Sequence, residues 1–331
     1  MSKALISIPG HFSCTMQYSH LFGPVRSRRL GRSLGIDLVP VKTCSFDCVY
    51  CECGHTTRVT RERQEFFPVR EVLCELSDYL SQSPELDFIT FSGSGEPTLS
   101  TSIGEVIRFL KSEFPRYRVA VLTNGSLLWH PEVREDLLSA DVVLPTLSSV
   151  FEDTFRKIQR PAPGILVSQI IDGLERFREE YHGDIWLEVF IIPGINTGPR
   201  ELDGLRAAIE RIRPDRVQLN TLDRPGTEDW VNPALPEELE RIREVLGLSG
   251  MYAVQPVGYE LSAGATMDLE WADARARVSG LIRRRPCTLD DISDSTGLPQ
   301  RQILKILREI QSSGALEERR EARGTFFFCP G

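Results

Sequence analysis

No apolar run in the chain approaches the roughly 20 residues that a membrane-spanning helix requires. Residues 1–11 have neither the long apolar stretch nor the small-residue cleavage site of a secretory signal. Repeats and low-complexity segments are missing too. The eight cysteines are too few, in 331 residues, for the dense disulfide framework of small secreted domains. These absences predict a cytoplasmic protein with reduced thiols and no membrane partner. What is present, 41% hydrophobic residues, suits one large domain and a small one. The net charge of −8 is unevenly spread. Residues 272–331 hold 11 Lys/Arg against 8 Asp/Glu, a balance of +3, so the remainder carries −11.

Three cysteines stand close together: Cys44, Cys48 and Cys51 read Cys-Ser-Phe-Asp-Cys-Val-Tyr-Cys, a C-x3-C-x2-C spacing. Thiolates are soft ligands that suit iron–sulfur clusters. A four-iron cubane needs four ligands and this loop supplies three. Without a fourth protein ligand, one iron stays open to a small molecule. A zinc loop is the competing reading, because His55 lies near enough in sequence to be a fourth ligand. Cys14, Cys53, Cys74, Cys287 and Cys329 are scattered.

The body alternates strand-like and helix-like segments. Strands are predicted at 35–39, 86–91, 118–122, 141–144, 185–192 and 216–220. Helices are predicted at 69–80, 103–114, 132–138, 165–181, 201–212 and 237–246. Strands separated by helices imply parallel crossovers, and strands apolar at most positions are covered on both faces. The fold class is α/β, a partial (β/α)6 TIM-type barrel, with a doubly wound open sheet as the alternative. In either, ligands bind beyond the C-terminal ends of the strands. The cysteine loop and the run Gly93-Ser94-Gly95-Glu96-Pro97 both follow strands directly.

The cysteine spacing, with Tyr50 just before the last cysteine, resembles the signature of the radical S-adenosylmethionine (SAM) enzymes. The run from Gly93 to Pro97 is similar to that family's Gly-Gly-Glu-Pro motif. The resemblance implies a [4Fe–4S] cluster on Cys44, Cys48 and Cys51, with SAM completing the fourth iron. It implies SAM contacts from Tyr50, Gly93, Ser94, Gly95 and Glu96, with Glu96 and the loop backbone holding the methionine ammonium. Asn124, Ser148, Asn196 and Asn220, at or beyond the ends of later strands, are the further expected SAM contacts. It implies reductive cleavage of SAM to a 5′-deoxyadenosyl radical, fed by an external flavodoxin- or ferredoxin-like donor.

Residues 18–246 resemble more closely the uncharacterised radical SAM group near the wyosine tRNA-modifying synthases. The segments 22–40, Phe155-Arg-Lys-Ile-Gln-Arg-Pro161 and Asn220-Thr-Leu-Asp-Arg-Pro225 carry that likeness. The N-terminal arginines Arg26, Arg28, Arg29 and Arg32 suit bidentate capture of substrate phosphate or carboxylate. Residues 262–268 are predicted to lead out of the body. The tail resembles a winged helix-turn-helix, with helices at 272–284, 289–293 and 300–312 and a wing at 316–321 and 324–328. In a nucleic-acid reader, Arg301 and Lys305 would enter a groove and Arg319, Arg320 and Arg323 would touch phosphate. The expected organisation is an extension over 1–17, a radical SAM core over 18–268 and a small C-terminal winged helix domain over 269–331. A tRNA-modifying enzyme, a small-molecule or peptide enzyme with a partner-docking tail, and an iron–sulfur redox-sensing transcription regulator are the competing functions.

Overall fold

The computed structural model describes residues 18–27, 29–248 and 271–329, without the side chains of Arg26, Ala272 and Asp273. The expectations for residues 1–17, Cys14, Arg28 and the 262–268 exit lie outside those residues. In chain order the body comprises β1 (Leu21–Ser27), β2 (Gly31–Ile36), β3 (Thr43–Cys44), β4 (Arg58–Val59), α1 (Val69–Ser81), β5 (Phe88–Phe91), α2 (Ile103–Glu113), β6 (Arg118–Thr123), α3 (Pro131–Leu137), β7 (Val142–Pro145), α4 (Glu152–Gln159), α5 (Val167–Glu180), β8 (Asp184–Phe190), α6 (Pro199–Ile212), β9 (Arg216–Asn220) and α7 (Pro236–Val245). The C-terminal segment adds α8 (Trp271–Arg284), β10 (Cys287–Thr288), α9 (Leu289–Thr296), α10 (Gln300–Ser312), β11 (Glu317–Glu321) and β12 (Gly324–Phe328). Among the described residues no helix is long and apolar enough to cross a membrane.

Seven strands form one sheet in the order β1-β2-β5-β6-β7-β8-β9. All neighbours are parallel except the β1–β2 hairpin. From β2 onward the order follows the chain without reversal. The doubly wound alternative needs a point where strand order reverses, so this sheet is singly wound. The first predicted strand is displaced: β2 occupies residues 31–36, because hairpin pairing with β1 sets its register from Gly31 to Ile36. Leu38 and Val39 stay buried in the loop beyond it.

Alternation along each strand divides the core into two faces. Ile185, Leu187 and Val189 of β8 pack outward with Phe177 of α5 and Leu205 and Ile209 of α6. Trp186 joins Phe88, Ala120, Val142 and Leu144 on the concave face, where Leu30 of the β1–β2 turn plugs the lower end. Helices begin and end on local signals. Pro131, Pro199 and Pro236 open α3, α6 and α7 at their first position, where a missing N–H costs nothing. Gly297, at φ +71°, closes α9.

The C-terminal helices carry their own apolar cluster, including Val278, Ile282, Ile292, Ile303, Ile306 and Leu307. Ile303, Leu307 and Ile310 share one buried face of α10, as the i, i+4, i+7 spacing predicts. A three-stranded sheet, β10-β12-β11, finishes the segment.

Candidate active site

Three loops meet above the C-terminal ends of the strands. The first carries the cysteines. Cys44 ends β3, whose parallel pairing with β4 folds residues 45–57 into a closed loop. The Val49 N–H donates to Ile158 O at 2.9 Å, Asp47 N–H to Gln159 O at 3.2 Å, and Glu228 N–H to Val49 O at 3.1 Å. Thr227 Oγ1 donates at 3.1 Å towards the carbonyls of both Cys48 and Cys51. The cysteine loop is thus clasped between α4 and the chain beyond β9. Tyr50 stacks on Phe190 with ring centroids 3.9 Å apart.

The second loop is the Gly-rich run after β5. Glu96 N–H donates to Thr43 O at 3.1 Å and Lys42 N–H to Ser94 O at 2.7 Å, which ties this loop to the first. Gly95 cannot carry a side chain there, because a Cβ would lie 2.2 Å from Thr43 O. Gly93 has φ +135°, a region L-residues avoid, and a Cβ would lie 1.8 Å from Asp37 Oδ1. The buried Ser94 Oγ has no hydrogen-bond partner among the described residues.

The third loop follows β6. Glu96, 2% exposed, accepts from Thr98 N at 3.0 Å, Thr98 Oγ1 at 2.6 Å, Thr123 Oγ1 at 2.7 Å and Asn124 N at 2.7 Å. Asn124 Nδ2 donates to Ser45 Oγ at 2.8 Å and approaches Cys44 Sγ at 3.5 Å. One buried carboxylate therefore organises the loops after β5 and β6 against the cysteine loop.

Burial dominates two of the three thiols. It pushes Cys44 up to about 12, with the Glu96 charge adding to it. It pushes Cys48 well up too, reinforced by the neighbouring Cys51 and Cys44. Cys51 is held below its usual range, chiefly by a hydrogen bond from the Cys53 thiol. Among the described residues no three His, Cys, Asp or Glu side chains stand at metal-holding distance. A cluster therefore needs the thiols to turn towards one another. Their chemistry fits one: desolvated sulfurs ionise when a cation replaces the lost water. The zinc reading loses its fourth ligand, since the His55 side chain is 60% exposed and its Nδ1 lies 3.3 Å from Asp47 Oδ2.

The other expected contacts divide. Asn196 is fully buried; its Nδ2 donates to Ser148 O and Phe190 O, both at 2.7 Å, and its Oδ1 accepts from Ile192 N at 2.8 Å. Ser148 Oγ accepts from Phe190 N at 3.2 Å. Both hold the loops after β7 and β8 together. Asn220 Nδ2 donates to Glu188 Oε2 at 3.2 Å. Arg29 pairs with the same carboxylate. Arg301 is exposed, and Lys305 Nζ lies 4.4 Å from the Trp271 ring centre. Two of the arginines expected to touch phosphate, on the β11–β12 hairpin, bond to carboxylates of the protein. Arg319 Nη1 lies 2.9 Å from Asp229 Oδ1 of the body, and Arg323 pairs with Asp223 of the body and Asp291 of α9. Sequence reasoning missed Thr227, Arg224 and Glu188. Glu188 left a local signal, a lone carboxylate inside the apolar run 185–192, and Arg224 lies in the segment 220–225 that carries the family likeness.

Comparison with known proteins follows the same lines. Residues 38–203 match the model of the radical SAM superfamily. A UPF0026 protein of Methanocaldococcus jannaschii is 34% identical over 233 residues, 68% of this chain and 72% of that protein. A protein of Brachyspira hyodysenteriae named GTPase Obg is 34% identical over 304 residues, 92% of this chain but 44% of its own length. The chain thus spans under half of that relative, and it contains no Gly-Lys pair from which a P-loop could be built. The fold resembles that of a radical SAM methyltransferase from Sphaerobacter thermophilus, with TM-score 0.51 and 18% identity over 67% of this chain and 64% of that one. With half its length matched by the family model, and with a singly wound parallel sheet carrying the cysteine loop at its mouth, this chain belongs to the radical SAM superfamily, enzymes that use a [4Fe–4S] cluster and S-adenosylmethionine.

Proposed function

We propose that Cys44, Cys48 and Cys51 hold the [4Fe–4S] cluster and that SAM lies between the cysteine loop and the Gly-rich loop. The observation that carries this is the hydrogen-bonded junction of three loops through Thr43, Glu96 and Asn124, all at one end of the sheet. The backbone of Gly93 to Gly95 and the unpartnered Ser94 hydroxyl face SAM, beside Tyr50. Glu96, Asn124, Ser148 and Asn196 act on the ligand by fixing those loops, because their polar atoms bond to the protein. Asn220 reaches the same mouth from β9. When bound, the cluster and SAM together supply a carbon radical that takes hydrogen from a substrate; the protein orients the reactants and excludes water. An external one-electron donor completes the system.

Residues 18–268 form the catalytic unit in this reading, and 269–331 a winged helix unit. RNA is the substrate carrier that α10 favours. Arg301, Gln302, Lys305 and Arg308 line a surface cavity of about 470 Å³ with Trp271 and Pro299, where a cationic rim and an aromatic face suit a nucleotide. A cytoplasmic location accords with the reduced thiols this chemistry needs.

The test is anaerobic reconstitution. The wild type should take up four irons per chain and release methionine and 5′-deoxyadenosine from SAM under dithionite. Cys44→Ala, Cys48→Ala and Cys51→Ala should lose both properties together. A Cys44→Ala protein that still cleaves SAM would sink the assignment. RNA recovered with the wild type and lost from Arg301→Gln/Lys305→Gln would support the carrier; equal recovery would refute it.

A further inference from the structure

The concave face of the sheet carries a charged group that the loops above do not use. Leu30 closes the lower end of the barrel among Phe88, Ala120, Val142 and Trp186. Its neighbour Arg29 pairs through Nη1 with Glu188 Oε2, inside the barrel. Glu188 lies on the same face of β8 as Trp186 and Phe190, and Thr146 and Gln218 stand beside it in register. Its Oε1 accepts from Thr146 Oγ1 at 3.2 Å and its Oε2 from Asn220 Nδ2 at 3.2 Å. The carboxylate is therefore saturated, and its work is to hold the guanidinium. Arg29 is still 23% exposed. Among the described residues only its Nη1 is engaged, out of five N–H donors on a planar fork.

Two buried polar atoms on that face have no partner among the described residues. They are the indole Nε1 of Trp186 and the amide Oε1 of Gln218, in residues each 4% exposed. A buried polar atom left unpaired is destabilising, and native chains keep few of them. Here one orphan donates and the other accepts; Gln218 is in register with Glu188, and Trp186 stands two residues before it on β8. The face lies directly beneath Tyr50, which stacks on Phe190 of the same strand.

We propose that Arg29, Trp186 and Gln218 form the substrate pocket of the barrel. Arg29 and the Trp186 N–H take an oxyanion, a carboxylate or phosphate, and Gln218 Oε1 takes an N–H or O–H beside it. Glu188 is a positioning residue that aims Arg29 at the mouth. The inference rests on the radical SAM reading for the position of the cofactor above this face. It adds the substrate's chemistry: a molecule or group with an anionic end buried downward and its reacting carbon nearer the cysteine loop.

The reconstituted full-length protein, saturated with SAM, should be titrated calorimetrically with inorganic phosphate, with pyrophosphate and with succinate. At least one should bind, and the best of them separates a phosphate from a carboxylate site. Arg29→Gln should weaken that binding at least tenfold, and Trp186→Phe by severalfold while keeping the ring. Glu188→Gln should weaken it less than Arg29→Gln and make it depend more steeply on salt, the signature of a guanidinium no longer held. Iron content and circular dichroism equal to wild type certify each variant. Absence of binding for all three probes, or binding unchanged in Arg29→Gln, overturns the proposal. So does binding that is lost only in Arg301→Gln/Lys305→Gln, which places the anion on α10. A wild type that takes up no iron refutes the cofactor reading instead.

Discussion

Arg284 of α8 donates from Nη2 to Asp37 Oδ2 at 2.7 Å and from Nε at 3.1 Å, across 247 residues of sequence. Asp37 stands just beyond β2, against the very space a Cβ on Gly93 would need. The guanidinium also lies over the Phe22 ring, 4.5 Å from its centre, and that ring fills the space above Gly35. A residue of the C-terminal segment thus touches the wall of the Gly-rich loop. Arg224 makes the matching contact from the body: it is 7% exposed, donates to Pro286 O at 2.9 Å and to Asp291 Oδ1 at 3.1 Å, and its Nε lies 3.5 Å from Glu52, the neighbour of Cys51.

Arg224→Ala should be among the costliest single changes. It leaves Asp291 and Glu52 without their buried cation, and removing one partner of a buried pair costs about 3–5 kcal/mol. Thermal unfolding should show that loss. Arg224→Lys should recover little, because a point charge cannot reproduce the fork that spans Pro286 and Asp291.

Acid should weaken the contact between Arg224 and Asp291 of α9. Burial raises the Asp291 acid, but the hydrogen bond and charge of Arg224, the Thr288 N–H and Arg323 outweigh it and hold it at about 2, below its ordinary 3.8. A depressed folded-state value contributes stability that is complete above 3.8 and is lost as pH falls towards 2. The shift corresponds to roughly 2 kcal/mol. A melting-temperature titration should show this loss in the wild type and a shallower one in Asp291→Asn.

Gly95→Ala should disturb the cysteine loop through its backbone. The new Cβ would sit 2.2 Å from Thr43 O, next to Cys44, and a backbone oxygen cannot swing aside. A loss of about 1–3 kcal/mol, the usual cost of overpacking, should come with lower iron uptake. Gly198→Ala is the control, since nothing lies within 4 Å of its Cβ position.

Glu96→Ala should cost more than Glu96→Gln. Alanine strands four donors, on Thr98, Thr123 and Asn124, in a site closed to water. Glutamine keeps one acceptor oxygen but sets an NH2 against donors. Losses of roughly 3–5 and 1–3 kcal/mol respectively are expected from unfolding curves.

Elements with a strong local period were legible. The apolar stripe at Ile303, Leu307 and Ile310 places α10 at Gln300–Ser312, the range expected from sequence. β6 is an apolar run and β9 alternates Val217 and Leu219 with polar residues, and both fall within a residue of expectation. The hairpin strand β1 was not legible, because Gly23, Pro24 and Arg26 break the alternation that marks a strand. Nor was α4, whose eight residues offer only Phe155 and Ile158 as buried apolar anchors. β10 is two residues long and exists only because β12 pairs with it.

The sequence alone determined the cysteine spacing, the Gly-rich loop and the strand–helix alternation, because each is written in neighbouring residues. It therefore placed both loops at the mouth of a parallel sheet. The tertiary structure decided which polar groups are satisfied by the protein and which are left over. Glu96 and Asn196 were expected to face a ligand, yet their oxygens meet donors of the protein. Arg319 and Arg323 of the β11–β12 hairpin pair with Asp229, Asp223 and Asp291. Arg29, Glu188, Trp186 and Gln218 come from two strands, β8 and β9, and the β1–β2 turn. Hydrogen-bond partnership depends on distance in space, which only the folded sheet sets for residues so far apart in sequence.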